Sequence, residues 1–300
     1  MNTGSIKDCT KWAWSAAVII FIVYYGISKK DLIYQAVAML PIKNLLSSGL
    51  MVFSAKLCLV SNMRQAAHSF DVKISFFEGY RIYNLTQLAK YIPGSIWQFL
   101  GRIAFLQNRG VPLSDIRDSL FAEHLWMLSS AGIMGFIMVY FAKPEFFFLW
   151  LSKFGVDLKI SHLWFLAIIV SILTCLVFFK KNMISWVISL RPPLRALPAL
   201  FFTWVLLGTS LWVILHPFTV PPLPLSFIIG IYCLAYVVGF LVPFAPAGLG
   251  IREAILVTGM VPFVSLEQAI VLAAVSRVIY FAVEILAAVI CLQKKDLFRA

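Results

Sequence analysis

VPFAPAGLGIREAIL, residues 242–256, decides how this chain is read. From Leu223 to Ile251 no charged residue occurs. Arg252 and Glu253 then stand side by side, just after Pro243, Pro246, Gly248 and Gly250. A proline inside an apolar helix removes a backbone donor and clashes with the preceding turn. Glycines let the chain reverse and let another backbone approach. In hydrocarbon the freed amides and carbonyls must find protein partners, so such a break survives only where it is buried in protein or lines a wet cavity. A helix that restarts after the break presents free N–H groups and a positive dipole end, and Arg252 adds a planar fork suited to phosphate.

The rest of the chain supplies the membrane. Of 300 residues, 61% are hydrophobic and 13% charged, and the mean hydropathy is +0.91. A soluble domain is nearer half apolar and a quarter charged. Apolar runs predict spans at about 12–28, 44–62, 118–142, 162–180, 197–216, 225–243 and 266–292. The expected fold is an all-α polytopic membrane protein, residues 1–300 forming a single transmembrane domain. It has about seven or eight spanning helices plus two Pro/Gly-broken or re-entrant segments. The first apolar run, Trp12 to Ile27, ends in Ser28-Lys29-Lys30 without a cleavage pattern and reads as a retained span.

The net charge of +12 lies mainly in short segments between spans, which is how topology is set and anionic headgroups are met. Lys180, Lys181, Arg191 and Arg195 place 180–196 in the cytoplasm. No soluble basic domain exists to bind nucleic acid. The five cysteines and four histidines are scattered, so neither a metal site, a cofactor site nor a disulfide framework is expected. Residues 63–91 mix Arg64, Lys73, Glu78, Arg81 and Lys90 with aromatics, which predicts an amphipathic helix lying in the interface.

The break has a counterpart. KYIPGSIWQFLGRIAFLQNRGVP (90–112) and VPFAPAGLGIREAILVTGMVP (242–262) each place proline beside small residues, then Arg-x-Ala-x-Leu from Arg102 and Arg252, then Val-Pro at 111–112 and 261–262. Arginine and proline are rare in apolar segments, so the match predicts a two-fold internal repeat with halves of about 31–180 and 181–300. Interrupted helices in duplicated halves are a transporter design with its site at the repeat interface.

The breaks themselves would be Pro93 and Gly94 in the first half, and Pro246, Gly248 and Gly250 in the second. Arg102 and Arg252 would take phosphate. Lys90, Trp97 and Gln98 flank the first break, and Glu253 the second. Arg277 and Glu284 lie two turns apart on one face, placed to line or gate a polar cavity. Glu123 and His124 open the span at 118–142 in a comparable way. Lys56, inside the second span, is expected to snorkel its ammonium to the interface.

PAGLGIREA resembles the PGGlGxRE signature of the lysylphosphatidylglycerol synthase transmembrane family, and KYIPGSIWQFLGR is similar to that family's ryiPGxxW…R stretch. The resemblance covers essentially the whole chain. It departs at Ala247, where the family often has glycine, a change expected to leave the turn intact. With the sequence ending at Ala300, a member without the aminoacyl-transferase domain is expected. The resemblance therefore implies the translocation half: a flippase moving an anionic-headgroup lipid, either a polyprenyl-phosphate-linked sugar or an aminoacyl or other phospholipid, across the cytoplasmic (inner) membrane. Stand-alone relatives suggest cell-envelope glycan assembly. The alternatives are a membrane partner or anchor of a separate glycosyltransferase or synthase, and an integral-membrane transferase. The last is disfavoured because the 13 acids include no Asp-x-Asp pair.

Overall fold

The computed structural model describes residues 40–91, 96–146, 190–219, 223–242 and 245–293, with isolated positions 34 and 38. The expected spans at 12–28 and 162–180, and Pro93, Gly94 and Pro243, lie outside the described residues. We number the described α-helices in chain order: α1 Ile42–His68, α2 Phe76–Gln87, α3 Trp97–Gln107, α4 Leu113–Ala142, α5 Leu197–Leu215, α6 Leu225–Leu241, α7 Ile251–Met260 and α8 Leu266–Gln293. No strand occurs among the described residues.

Four helical stretches, Ile42–His68, Leu113–Ala142, Leu194–Phe218 and Leu266–Leu292, are long and apolar enough to cross a bilayer. The chain is thus a multi-pass membrane protein. The apolar α6 has 17 residues, about 26 Å, which falls short of a hydrocarbon core of about 30 Å. The break after it therefore falls at membrane depth. The short helices α3 and α7, of 11 and 10 residues, have the length of about half a hydrocarbon core.

Burial follows from which faces meet lipid. On α8, Val278, Phe281, Ile285, Val289 and Leu292 are exposed at helical spacing, the pattern of a lipid-facing stripe. The α6 stretch Phe227–Cys233 is buried without interruption, as expected of a helix surrounded by other helices. It packs on α4, α5 and α7. Close approach is made by glycines. A Cβ on Gly208 of α5 would lie 2.5 Å from the Ile229 Cα, and one on Gly230 would lie 2.9 Å from the Val139 backbone nitrogen. Directional bonds then fix the register. Trp204 Nε1 donates to Ser130 Oγ at 2.9 Å, Trp212 Nε1 to the Leu223 carbonyl at 2.9 Å, and Asn44 Nδ2 to the Val213 carbonyl at 2.9 Å.

Two expectations change. Residues 63–91 are not one helix lying in the interface. Helix α1 continues through His68, the chain turns, and α2 begins at Phe76 with Ser75 capping the Glu78 amide. Several polar residues of this stretch are spent inside the protein, while Asp71 and Lys73 stay exposed. Arg64 Nε donates to the Ile74 carbonyl at 3.0 Å, Glu78 pairs with Arg109, and Tyr80, Tyr83, Asn84 and Gln87 are buried where α2 packs on α1 and α8. Nor does Lys56 snorkel: it is 1% exposed, held in the core of the bundle by a carboxylate described below.

Gly208→Ala should force α5 and α6 apart, because the new methyl meets backbone and not a flexible side-chain tip. We expect a loss of about 1–3 kcal/mol, read as a lower thermal midpoint in detergent. Gly132→Ala, where a Cβ meets nothing within 4 Å, should be neutral.

Candidate functional site

The break before α7 is built from three residues in the left-handed region: Ala247 at φ 52, Gly248 at φ 69 and Gly250 at φ 83. Pro246–Gly248 form a single 3-10 turn. Its freed polar groups are met from two sides. Glu253 reaches back one turn, and its Oε2 accepts from the Gly250 amide at 2.7 Å. Arg277 comes across from α8, where its Nη2 donates to the Ala247 carbonyl at 2.7 Å and its Nε lies 3.4 Å from Glu253 Oε1. The break is thereby closed by an arginine and a glutamate that are 24 residues apart and themselves paired.

Arg252 does not pair with its sequence neighbour, since consecutive side chains on a helix do not face each other. Its stem lies in a slot made by two glycines. A Cβ on Gly239 would fall 2.2 Å from Arg252 Cγ, and one on Gly248 would fall 3.0 Å from both Cγ and Cδ. The guanidinium sits over the rings of Tyr232 and Tyr236, 5.6 and 5.2 Å from their centroids. Cation–π contact holds the group without neutralising it.

Arg252 opens onto a cavity of about 300 Å³. α2, α3, α4 and α6 contribute Tyr83, Gln98, Phe99, Glu123, His124 and Tyr236 to its walls, Lys90 enters from the turn after α2, and Ala247 and Gly248 enter from the break. The turns Leu88–Tyr91 and Pro246–Gly248 contact each other here, so the described flanks of both sequence breaks meet at one place.

Behind the cavity lie two buried charge clusters. Arg102 is 2% exposed; its Nη1 lies 2.5 Å from Glu123 Oε2, its Nε donates to Thr86 Oγ1 at 3.3 Å, and its plane lies over the Tyr83 ring. Its Nη2 has no acceptor among the described residues. In the second cluster, Glu284 Oε1 accepts from both Lys90 at 2.6 Å and Lys56 at 3.3 Å, and Oε2 accepts from the Tyr91 hydroxyl at 2.7 Å. Each short helix is thus tied to the long helix that follows it by one ion pair, with the signs exchanged: Arg102 of α3 to Glu123 of α4, and Glu253 of α7 to Arg277 of α8.

With this geometry in view, comparison with known families is decisive. The family described as "Lysylphosphatidylglycerol synthase TM region" matches residues 12–288. The chain belongs to this family. No curated protein matches it. The family makes it a membrane protein of a lipid-related group, in agreement with the bundle.

Within this family member the sequence-predicted residues divide. Arg252, Lys90 and Gln98 line the cavity with Gly248. Arg102 lies behind Glu123, Glu284 behind Lys90, and Arg277 and Glu253 hold the break. Trp97, half-exposed at the start of α3, is not among the walls. Ala247 keeps the turn that glycine would make, but at a backbone angle that costs a Cβ-bearing residue about 1–2 kcal/mol. The residues that sequence reasoning missed are Tyr91, Tyr83, Tyr236 and the buried role of Lys56. Tyr91 sits within the quoted KYIPG motif, and its neighbour Lys90 was the available signal.

Glu123→Gln should strand the Arg102 guanidinium in the core and cost about 3–5 kcal/mol, whereas Arg102→Met combined with Glu123→Leu should recover most of that. Thermal unfolding of the detergent-solubilised variants reads the difference. Equal losses in the single and double variants would contradict the pairing.

Proposed function

We propose that this chain binds the headgroup of an anionic lipid in the cavity and moves it between leaflets of the cytoplasmic membrane. The single observation that carries this reading is Arg252: a guanidinium on the wall of a cavity at membrane depth, seated between glycines and tyrosines, with no carboxylate partner among the described residues. A charge placed in a membrane protein without its counter-ion is a functional candidate, and phosphate is the group that the planar fork fits.

The volume supports a headgroup and not its tails, since about 300 Å³ is at the small end of ligand sites. Ile96 and Phe240 line the cavity yet are 54% and 37% exposed. They mark the side on which acyl or prenyl chains would leave toward lipid. The likeness between the two halves, each running helix, 3-10 turn, short helix and long helix, supports a duplicated carrier whose site lies where the halves meet. We read the chain as a carrier and not an enzyme: around the cavity, Glu123, Glu253 and Glu284 are each engaged by Arg or Lys, so no pair of unpaired carboxylates for acid–base work stands there among the described residues. A separate glycosyltransferase or synthase is the partner class that would supply or consume such a lipid.

Reconstitution in liposomes with a headgroup-labelled phosphatidylglycerol tests this. The unaltered protein should make inner-leaflet label accessible to a membrane-impermeant quencher. Arg252→Ala should slow that by roughly ten- to a hundredfold, the value of one lost charge-assisted hydrogen bond. Gly239→Ala should do the same without touching the charge, because its methyl takes the place of the Arg252 stem. Movement at an unchanged rate in Arg252→Ala would remove the assignment.

A further inference from the structure

Both breaks hang from one stripe of α8. Arg277, Phe281 and Glu284 follow one another at helical spacing and share a face. Arg277 holds the second break through the Ala247 carbonyl and Glu253. Glu284 holds the first turn, Leu88–Tyr91, through Lys90 and Tyr91. Two turns of helix, about 10 Å along the axis, separate these anchors.

Tyr91 bridges that gap. Its hydroxyl donates to Glu284 Oε2 at 2.7 Å. Its ring meets the Phe281 ring edge-on, with centroids 5.0 Å apart. The Arg277 guanidinium lies 5.8 Å from the centroid of the same Tyr91 ring, and the Lys90 ammonium 5.2 Å. One side chain of the first half therefore touches both anchors on α8 and stands against a cation from each break. The ring face is negative, so it attracts both cations where the cations alone would repel. Lys90 is a lesser tether, because its side chain also borders the cavity. Tyr91 is neutral and is not among the cavity walls.

The consequence reaches Arg252. Arg277 fixes the Ala247 carbonyl, Gly248 follows, and the Arg252 stem packs on Gly248 from the first turn of α7. Where the Arg277 guanidinium stands thus sets where the Arg252 stem enters its slot.

We propose that Tyr91 is a positioning residue that couples the two breaks. By holding Arg277 and Glu284 in one arrangement, it fixes the second break, and Arg252 with it, from the first half of the chain. The coupling goes beyond the lipid reading and stands without it; only its effect on lipid binding rests on that reading.

Labelling of a buried residue at the second break tests the coupling. Ala245 is 2% exposed there. In the full chain in detergent, with the five native cysteines replaced by alanine, Ala245→Cys should react slowly with a maleimide. Adding Tyr91→Leu should speed that reaction roughly tenfold, the value of one desolvated cation–π contact. Tyr91→Phe keeps the ring on Arg277 and should stay closer to the unaltered rate. With Arg277→Met the second break is already released, so Tyr91→Leu should then add nothing. The same increment in that background, or an unchanged rate in folded Tyr91→Leu, overturns the coupling. Should Tyr91→Leu fail to fold, Phe281→Ala, which removes the edge contact that sets the Tyr91 ring, is read in its place with the same expectations. Thermal stabilisation by phosphatidylglycerol separates the two levels. Tyr91→Leu should raise the half-maximal lipid concentration about tenfold; an unmoved value beside faster labelling overturns the link to Arg252. No stabilisation of the unaltered protein removes the lipid reading and leaves the labelling to decide the coupling.

Discussion

Backbone that leaves a helix inside hydrocarbon must still satisfy its amides and carbonyls, and the site is organised around that requirement. At the second break, the Gly250 amide is met by Glu253 and the Ala247 carbonyl by Arg277. Because Glu253 is committed there, it is withheld from Arg252, the residue beside it in sequence. The adjacency of opposite charges in IREA is therefore not an ion pair but two assignments. One side chain repairs the break, and the other is held open to the cavity by a glycine slot and two tyrosine rings.

The same logic extends to the remaining charges. Buried ions are tolerated when they are paired and hydrogen-bonded, and Arg102–Glu123 and the Glu284 cluster meet that condition except at Arg102 Nη2. These pairs also serve as geometry. Arg102–Glu123 pins α3 to α4 behind the cavity, and Glu284 joins α1, the first turn and α8. The exchange of sign between the two short-helix pairs preserves the connection while making the two sides of the cavity chemically unequal.

Much of this was legible in the sequence because the signals are local. Apolar length gave the spans that became α1, α4, α5, α6 and α8, and the Pro/Gly cluster before Arg252 marked a break that the structure forms with three left-handed residues. What was not legible depends on partners distant in sequence. Lys56 alone in an apolar run looks like a snorkelling residue; only Glu284, 228 positions on, makes its burial intelligible. Arg102 looks like the equal of Arg252, but Glu123 occupies it, and among the described residues no carboxylate reaches Arg252. The basic and aromatic mixture at 63–91 satisfied the interfacial pattern, yet Arg64, Glu78 and Lys90 are taken up by Ile74, Arg109 and Glu284. Ala247 shows the limit of motif matching, since replacing glycine by alanine preserves the turn while adding backbone strain.

Glu284 holds two ammoniums on one oxygen, and only one of them, on Lys90, borders the cavity. If an incoming phosphate draws Lys90 away, Lys56 remains behind as a reserve counter-ion. The carboxylate is never left bare in a medium where a lone charge is costly. Redundancy at this position lowers the electrostatic barrier to surrendering a cation, while Tyr91 still ties the Leu88–Tyr91 turn to α8.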